Sequence, residues 1–312
     1  MTSIVDVTVL ADLLRRAAKA EILPRFRRLG QGEVRAKSEA TDLVTEADEQ
    51  AERMIKAEAA QLWPGALFLG EESVAANPDL LYGLAHADLA IVVDPVDGTF
   101  NFASGIPAFG VMASVISGGE TVAGIIYDPM GDDWVMAEKG GGAWLRRPDG
   151  GAERLSVAAP VGLEHMVGMA STGYLPKEKR AEVLGNLAKV RFLTNYRCAA
   201  HEYRTFAGGY VHYLMYNKLM PWDHLAGTLI SQEAGAYAAR FDGSPYLPHH
   251  LDGGLLITPT RPHGTCCGVR FSRSEHSPQS VEPLLLPSCY RTARMCSHAS
   301  RPNSASASSL PP

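Results

Sequence analysis

The most constraining feature of the chain is an apolar run that leads directly into two carboxylates. Residues 89–93 are all apolar and are followed by Asp94-Pro95-Val96-Asp97-Gly98-Thr99. Such a run predicts a buried strand, so Asp94 and Asp97 lie at its end. Carboxylates this close repel each other and are costly to desolvate without a cation between them, and Mg²⁺ binds oxygens of this kind. The pattern favours a metal site, although an Asx-type turn with Gly98 explains the same residues.

Length, charge and hydropathy limit the class of protein. At 312 residues, 46% of them apolar, the chain has room for one large or two medium α/β domains. The net charge of -5, with no concentrated block of Lys and Arg, argues against nucleic-acid binding and favours a small-molecule substrate. Residues 1–10 lack the pattern of a signal peptide, and no apolar run of about 18 residues occurs. We expect a cytoplasmic protein without a membrane segment.

The order of predicted elements indicates the fold class. Apolar spacing predicts a first helix over residues 7–28, and Thr45 followed by Asp48 predicts the cap of a second helix that ends at Trp63. Predicted strands cover 67–69, 89–93, 110–116, 122–127, 134–137, 167–170, 191–193 and 253–258, and further helices cover 177–189, 199–208 and 226–234. We therefore predict an α/β protein, an α+β layered sandwich in which helix and sheet layers alternate.

Composition divides the chain into three parts. We predict an N-terminal α+β half over residues 1–154, a C-terminal α/β half over residues 155–262 and a disordered tail over residues 263–312. The tail contains eleven Ser, six Pro and four of the five Cys, but no Lys or Asp. A shifted reading frame in a GC-rich gene is a second explanation of that bias. The cysteine spacing predicts neither a disulfide framework nor a structural zinc site.

Two further acidic residues stand beside predicted elements. Glu71, in Gly70-Glu71-Glu72-Ser73, follows a predicted strand, and Asp223, in Trp222-Asp223-His224, precedes a predicted helix. Alone, such residues usually form a solvated turn or a helix N-cap. Together with Asp94 and Asp97 they offer enough hard oxygen ligands for two or three Mg²⁺ ions.

The joint spacing of these motifs resembles the inositol monophosphatase family, which consists of Mg²⁺-dependent, lithium-sensitive phosphatases. The segments GEES, DPVDGTFNF followed by Gly105, and WDHLAG occur in the family's order. Upstream, the segment from Lys37 to Asp48 is similar to the family's KxxxDLVTxAD. The resemblance covers roughly residues 5–260 and implies the family's fold of alternating helix and sheet layers.

The resemblance also implies a role for each motif residue. The implied metal ligands are Glu71, Asp94, Asp97, Asp223 and the carbonyl oxygen of Val96. Ions held there activate water for in-line attack on the phosphate, without a covalent enzyme intermediate. Glu71 and Thr99 are implied to hold the attacking water, and Thr45 and Asp48 to support that hydrogen-bond network as catalytic residues. Helix capping by Thr45 and Asp48 is compatible with this role.

The substrate-binding set implied by the family is Asp97, Gly98, Thr99 and Asp223. Gly98 and Thr99 offer backbone N–H groups to the phosphate, since glycine allows close approach and a helix start favours an anion. Two positions depart from the family's pattern. Tyr216 replaces the Glu with which inositol-selective members bind substrate hydroxyls, and Arg197-Cys198-Ala199-Ala200 replaces a Gly-Ser-Ala-Ala stretch.

The expected function is Mg²⁺-dependent hydrolysis of a small polyol phosphate, with inositol monophosphate as the first candidate. Histidinol-phosphate phosphatase is an alternative, because that activity occurs on the same fold and motif set. A catalytically impaired metal-binding protein is the other alternative. The expected partner is a small-molecule phosphate monoester, with no nucleic acid and no membrane, and the resemblance implies a homodimer.

Overall fold

The computed structural model describes residues 5–37 and 39–260. The helices are α1 (Val7–Ala17), α2 (Glu46–Leu62), α3 (Glu71–Ala76), α4 (Leu80–Leu84), α5 (Thr99–Ala103), α6 (Lys177–Leu187), α7 (Ala199–Ala207) and α8 (Pro221–Glu233). The strands are β1 (Val34–Ala36), β2 (Leu43–Thr45), β3 (Leu67–Gly70), β4 (Leu89–Asp97), β5 (Gly110–Ser117), β6 (Glu120–Asp128), β7 (Asp133–Glu138), β8 (Ala143–Arg146), β9 (Ala152–Arg154), β10 (Val167–Ala170), β11 (Phe192–Thr194), β12 (Tyr213–Tyr216), β13 (Tyr237–Arg240) and β14 (Leu255–Thr258).

Two large sheets alternate with three layers of helices, and β1 and β2 form a separate two-stranded sheet. The seven-stranded sheet follows chain order from β3 to β9, and the five-stranded sheet has the order β11-β10-β12-β14-β13. α1 and α2 pack on the outer face of the larger sheet, α7 and α8 lie between the sheets, and α6 packs on the outer face of the smaller one. The predicted α/β fold class with alternating layers is thus confirmed.

The inner helix layer packs closely on the larger sheet. α8 contacts β5 and β6 on one side and β13 on the other, so most of its residues are buried. At Gly124 in β6 a Cβ atom would lie 2.7 Å from the carbonyl oxygen of Ala226 in α8. Only glycine permits this approach of helix to strand. The larger sheet ends with β9 at Arg154, and the first strand of the smaller sheet, β10, begins at Val167. α8 packs on both sheets, and the division of the chain into two halves stays a prediction.

Three predicted elements differ from the observed ones by four residues or more at one end. β4 continues to Asp97 instead of ending at Val93, because the acidic segment still pairs with β5. α1 ends at Ala17 and is continued by a π-helical turn, Ala18–Ile22, so helical structure stops before Pro24 rather than at Arg28. α8 begins at Pro221, since proline is well suited to the first position of a helix.

The predicted tail over residues 263–312 lies outside the described residues. Among the helices that the structure does describe, none has the length and apolar character needed to cross a lipid bilayer.

Candidate active site

Three carboxylates from distant parts of the sequence meet in one place. Ligand oxygens of Asp94, Asp97 and Asp223 lie within 4.8 Å of one another. β4 carries Asp94 and Asp97 near its C-terminal end, and the first turn of α8 carries Asp223. The packing of α8 against the larger sheet therefore assembles the group.

A β-bulge explains why Asp94 and Asp97 face the same cavity. In a regular strand, residues three positions apart point to opposite faces. Asp94 pairs with Met112 and Asp97 pairs with Gly110, so β4 has one residue more than β5 over this stretch. The extra residue reverses the alternation, and both aspartates line one cavity.

The cluster of Asp94, Asp97 and Asp223 has too little positive charge around it to balance three carboxylates. Burial raises the pKa of Asp94 well above its usual range, and repulsion from Glu71 and Asp97 raises it further. Burial and repulsion from the same two residues raise the pKa of Asp223 to about 8. Buried, closely spaced carboxylate oxygens are the hard ligands that Mg²⁺ binds. The donor set therefore fits the ion that the sequence predicts.

Glu71 lies at the start of α3 and lines the same cavity. Its Oε1 atom is 2.8 Å from Lys37 Nζ, which is also 2.6 Å from Glu72 Oε1. Burial lowers the pKa of Lys37, but the two glutamates outweigh burial and raise it overall. Lys37 is thus a cation that orients Glu71, a role that sequence reasoning missed although Lys37 begins one of the family motifs.

Thr45, Asp48 and Thr99 form one hydrogen-bond network. Asp48 Oδ2 accepts from the backbone N–H and the hydroxyl of Thr45, at 2.9 and 2.5 Å, and Thr45 Oγ1 caps α2 by accepting from Ala47 N–H. Asp48 Oδ1 accepts from the Thr99 hydroxyl at 2.9 Å. Burial raises the pKa of Asp48 to about 6. Thr45 therefore caps α2 and also belongs to the hydrogen-bond network. Thr45 and Asp48 do not line the cavity and are linked to it through Thr99.

Gly98 forms the turn between β4 and α5. Its φ of +86° lies in the left-handed region, and a Cβ atom there would be 2.9 Å from the carbonyl oxygen of Ala108. Both facts require glycine. The turn places Thr99 so that its hydroxyl is also 2.9 Å from the carbonyl oxygen of Val96. Val96, Gly98 and Thr99 all line the cavity that the three aspartates share.

Asp97 is held by a segment that sequence reasoning did not place in the site. Its Oδ2 atom accepts from the backbone N–H of Ala200 at 2.6 Å and lies 2.9 Å from Cys198 Sγ. Of these two partners, Cys198 differs from the family's Gly-Ser-Ala-Ala, whereas Ala200 matches its last alanine. The likeness of this stretch to a family segment was the available signal.

The cavity has a volume of about 690 Å³, and basic and aromatic side chains form part of its lining. The Arg197 guanidinium lies 3.6 Å from the ring centroid of Phe100, and Lys218 Nζ lies 5.3 Å from that of Tyr174. Tyr216 is buried and lines the cavity, where burial and the nearby Glu202 carboxylate both raise the pKa of its hydroxyl. The cavity thus combines cationic and aromatic side chains with its carboxylates.

Comparison with known proteins gives a consistent result. A family model for the inositol monophosphatase family matches residues 5–270. An inositol-1-monophosphatase from Mesorhizobium japonicum is 33% identical over 220 residues, which are 69% of this chain and 77% of that protein. A fructose-1,6-bisphosphatase/inositol-1-monophosphatase from Thermotoga maritima is 30% identical over 65% of this chain and 73% of its own length.

Solved structures show the same likeness. The extragenic suppressor protein suhB from Bartonella henselae superposes with a TM-score of 0.67 at 29% identity, over 81% of this chain and 92% of that one. An IMPase from Thermotoga maritima has a TM-score of 0.68 at 25% identity, over 81% of this chain and 91% of its own.

Proposed function

Since this chain belongs to the inositol monophosphatase family and is a phosphoric monoester hydrolase, we propose that it is Mg²⁺-dependent and acts on a small polyol phosphate. Inositol monophosphate is the first substrate to test. The observation that carries the proposal is the meeting of Asp94, Asp97 and Asp223 in a cavity that Thr99 also lines. Such a site can bind cations and a phosphate group together.

The chain's oxygen ligands have separate tasks in this proposal. Glu71, Asp94, Asp97, Asp223 and the carbonyl oxygen of Val96 would hold two or three ions. When bound, the ions supply charge neutralisation for the phosphate and lower the pKa of water. The raised pKa values of Asp94 and Asp223 support the assignment, because a cation in their midst restores the missing positive charge.

Thr99 and Asp48 would control the proton of the attacking water, which Glu71 also helps to hold. Thr99 Oγ1 donates towards Asp48 Oδ1, so a lone pair of Thr99 is free to accept from the water. As the water oxygen bonds to phosphorus and the ester P–O bond breaks, Thr99 Oγ1 would gain the proton of the water and pass its own to Asp48, and the leaving oxygen would take a proton from solvent water. The pKa of Asp48, about 6 because of burial, suits an acceptor that works near neutral pH.

The phosphate would bind at the turn after β4. Gly98 brings the backbone close, and the N–H groups of Gly98 and Thr99 lie where α5 begins. Asp97 and Asp223, which line the same cavity, would complete the substrate-binding set. Cys198 and Ala200 act as positioning groups, because they fix the orientation of the Asp97 carboxylate.

A substrate panel tests the function. Purified protein is assayed for phosphate release from inositol monophosphate, histidinol phosphate and other small monoesters, with Mg²⁺ and with a chelator. We expect turnover that requires Mg²⁺ and is lost in Asp223→Asn. Turnover of histidinol phosphate alone would show that the protein is a histidinol-phosphate phosphatase rather than a polyol-phosphate phosphatase. Mg²⁺ binding by calorimetry without turnover of any monoester would indicate a metal-binding protein.

We also propose a homodimer, supported by an exposed sheet edge. β11 ends the five-stranded sheet, and Phe192 and Leu193 on it are 59% and 38% exposed. Unpaired edges with apolar side chains favour association. Sedimentation velocity checks the proposal, and a monomer at micromolar concentration would refute it.

A further inference from the structure

We propose that Glu52, a buried carboxylate in α2, is a positioning residue for the active site, because it holds the first turn of α3 and thereby places Glu71 for metal binding. The inference rests on the proposed function, in which Glu71 is one of the metal ligands. Glu52 is only 4% exposed and does not line the cavity. It therefore acts through the backbone of α3 and not by contact with substrate or ion.

The Glu52 carboxylate accepts three hydrogen bonds from two consecutive residues of α3. Its Oε2 atom accepts from the backbone N–H of Glu72 at 2.7 Å. Its Oε1 atom accepts from the backbone N–H of Ser73 at 2.7 Å and from the Ser73 hydroxyl at 2.5 Å. Hydrogen bonds to a charged acceptor are roughly twice as strong as those between neutral groups. Glu52 thus fixes the two residues that directly follow Glu71.

Glu52 takes the place of an N-cap residue for α3. The first N–H groups of a helix have no partner within the helix, and a Ser, Thr, Asp or Asn at the N-cap usually accepts from one of them. The N-cap of α3 is Gly70, which provides no side-chain cap. A Cβ atom at Gly70 would collide with the Glu52 carboxylate. Glycine therefore leaves the space in which α2 caps the neighbouring helix.

The cap is needed because packing contributes little to the position of α3. The helix has six residues, of which Val74 alone is buried. Lys37 orients the Glu71 carboxylate through an ion pair of 2.8 Å, but this contact does not hold the backbone. The position of the backbone, and with it the reach of Glu71 into the cavity, therefore depends on Glu52.

α2 also connects this cap to the network that handles the proton. Asp48, which accepts from the Thr99 hydroxyl at 2.9 Å, lies four residues before Glu52 on the same helix. Residues four apart lie on one face of a helix, one turn from each other. α2 thus holds Thr99 through one carboxylate and the turn of Glu71 through the next. Because both residues are assigned to the attacking water, Glu52 sets their relative position.

The variant Glu52→Gln tests the proposal in the Mg²⁺-dependent phosphate assay. An amide nitrogen replaces one acceptor oxygen, so at least one N–H group of α3 loses its partner. We expect the Mg²⁺ concentration for half-maximal activity to rise about tenfold and kcat to fall about tenfold, while KM for the substrate changes less than about twofold. A role in stability alone lowers the unfolding temperature without changing the dependence on Mg²⁺.

The variant Glu52→Asp distinguishes position from charge. The shorter side chain keeps the negative charge but withdraws the carboxylate from α3 by one methylene group. We expect the same loss of Mg²⁺ affinity as in Glu52→Gln. Glu58→Gln is the matched control, because Glu58 lies on the same helix, pairs with Arg16 at 2.7 Å and does not line the cavity. The control keeps the wild-type dependence on Mg²⁺, whether or not its unfolding temperature falls.

Calorimetry with Mg²⁺ alone provides a readout that does not depend on turnover. Mg²⁺ is titrated into each purified protein well below its unfolding temperature. The dissociation constant rises about tenfold in both Glu52 variants and is unchanged in Glu58→Gln. If neither Glu52 variant folds, Ser73→Ala decides the question, because loss of one of the three bonds should raise the dissociation constant about threefold.

Two results overturn the inference. One is wild-type Mg²⁺ affinity in Glu52→Asp, which would show that the charge of Glu52 matters and its position does not. The other is wild-type Mg²⁺ affinity in Ser73→Ala together with Glu52→Gln. A wild-type protein that binds no Mg²⁺, or that hydrolyses no monoester, contradicts the proposed function instead.

Discussion

The fold holds Asp94, Asp97 and Asp223 close together although their negative charges repel one another. Each carboxylate is raised in pKa by burial, and each lies close to two others. A cation relieves the repulsion, so the site gains affinity from the same charges that strain the metal-free fold. Removing one charge should therefore have opposite effects on stability and on catalysis.

The variant Asp94→Asn tests these opposite effects on stability and catalysis. The amide keeps the volume and the oxygen that accepts from Val96 N–H at 3.0 Å, but removes a charge. We expect the metal-free variant to unfold at a higher temperature than wild type, and phosphate release to fall roughly a hundredfold or more. Thermal unfolding in chelator and a phosphate assay measure both. Asp242→Asn, at an exposed site outside the cavity, is the control; a less stable Asp94→Asn that keeps turnover contradicts the assignment.

The variant Thr99→Ala tests whether Thr99 acts in proton transfer rather than in metal binding. The variant deletes the hydroxyl that links Asp48 to the turn after β4 but leaves all predicted metal ligands. We expect kcat to fall about a hundredfold, while the Mg²⁺ concentration for half-maximal activity changes far less. Thr99→Ser, which keeps the hydroxyl, restores most of kcat. A larger loss of Mg²⁺ affinity than of kcat argues against the role.

At the scale of elements, one ionic cluster attaches the first helical segment to the larger sheet. Arg15 in α1 and Lys19 in the following π-helical turn lie 2.6 and 2.9 Å from the carboxylate of Asp132, in the turn between β6 and β7. Tyr127 donates its hydroxyl to the same carboxylate at 2.8 Å. The hydrogen bond from Arg15 is the main reason that the pKa of Asp132 lies below its usual range.

Asp132→Asn tests this attachment. Asparagine tolerates the positive φ at this position, so the change isolates the charge. We expect a loss of about 1 kcal/mol in the free energy of unfolding at pH 7, since the carboxylate is partly exposed and screened. The pKa is lowered by folding, so the wild-type advantage is complete above about pH 4 and shrinks as the pH falls below it. Urea unfolding at pH 7 and pH 3 checks this; a constant difference refutes it.

Sequence reasoning succeeded where the signal is local. The cap at Thr45 and the Trp63-Pro64-Gly65 stop gave the bounds of α2, because both depend on neighbouring residues. The continuation of β4 to Asp97 was missed, since it depends on pairing with β5. The partners of Glu71 and Asp97 were missed for the same reason: Lys37 is 34 residues from Glu71, and Cys198 is 101 residues from Asp97. Distant contacts of this kind leave no periodic pattern.

For the whole molecule, the charge of the site sets how stability depends on pH. Asp223 has a folded pKa of about 8, above its unfolded value of about 4, so the folded state holds more protons in between. The resulting stabilisation is complete below pH 4 and is lost as the pH rises through 8. Burial lowers the pKa of His224 to about 4, and its opposite contribution is constant above about pH 6.5.

We therefore expect the metal-free protein to be less stable at pH 8.5 than at pH 6.5. Mg²⁺ should raise the unfolding temperature more at pH 8.5, because the carboxylates have then lost their protons. Thermal unfolding with and without Mg²⁺ at both pH values measures this, and Asp223→Asn should reduce the shift. An equal effect of Mg²⁺ at the two pH values contradicts the charge argument.

The enclosure of α8 between two sheets has a consequence for biosynthesis. Asp223 lies on a helix that needs β13 and β14 for its cover, and the ribosome makes those strands last among the described elements. A nascent chain that has not passed residue 258 lacks the surface against which this helix is fixed. The carboxylate cluster therefore gains its full support only after translation of the layered body is finished.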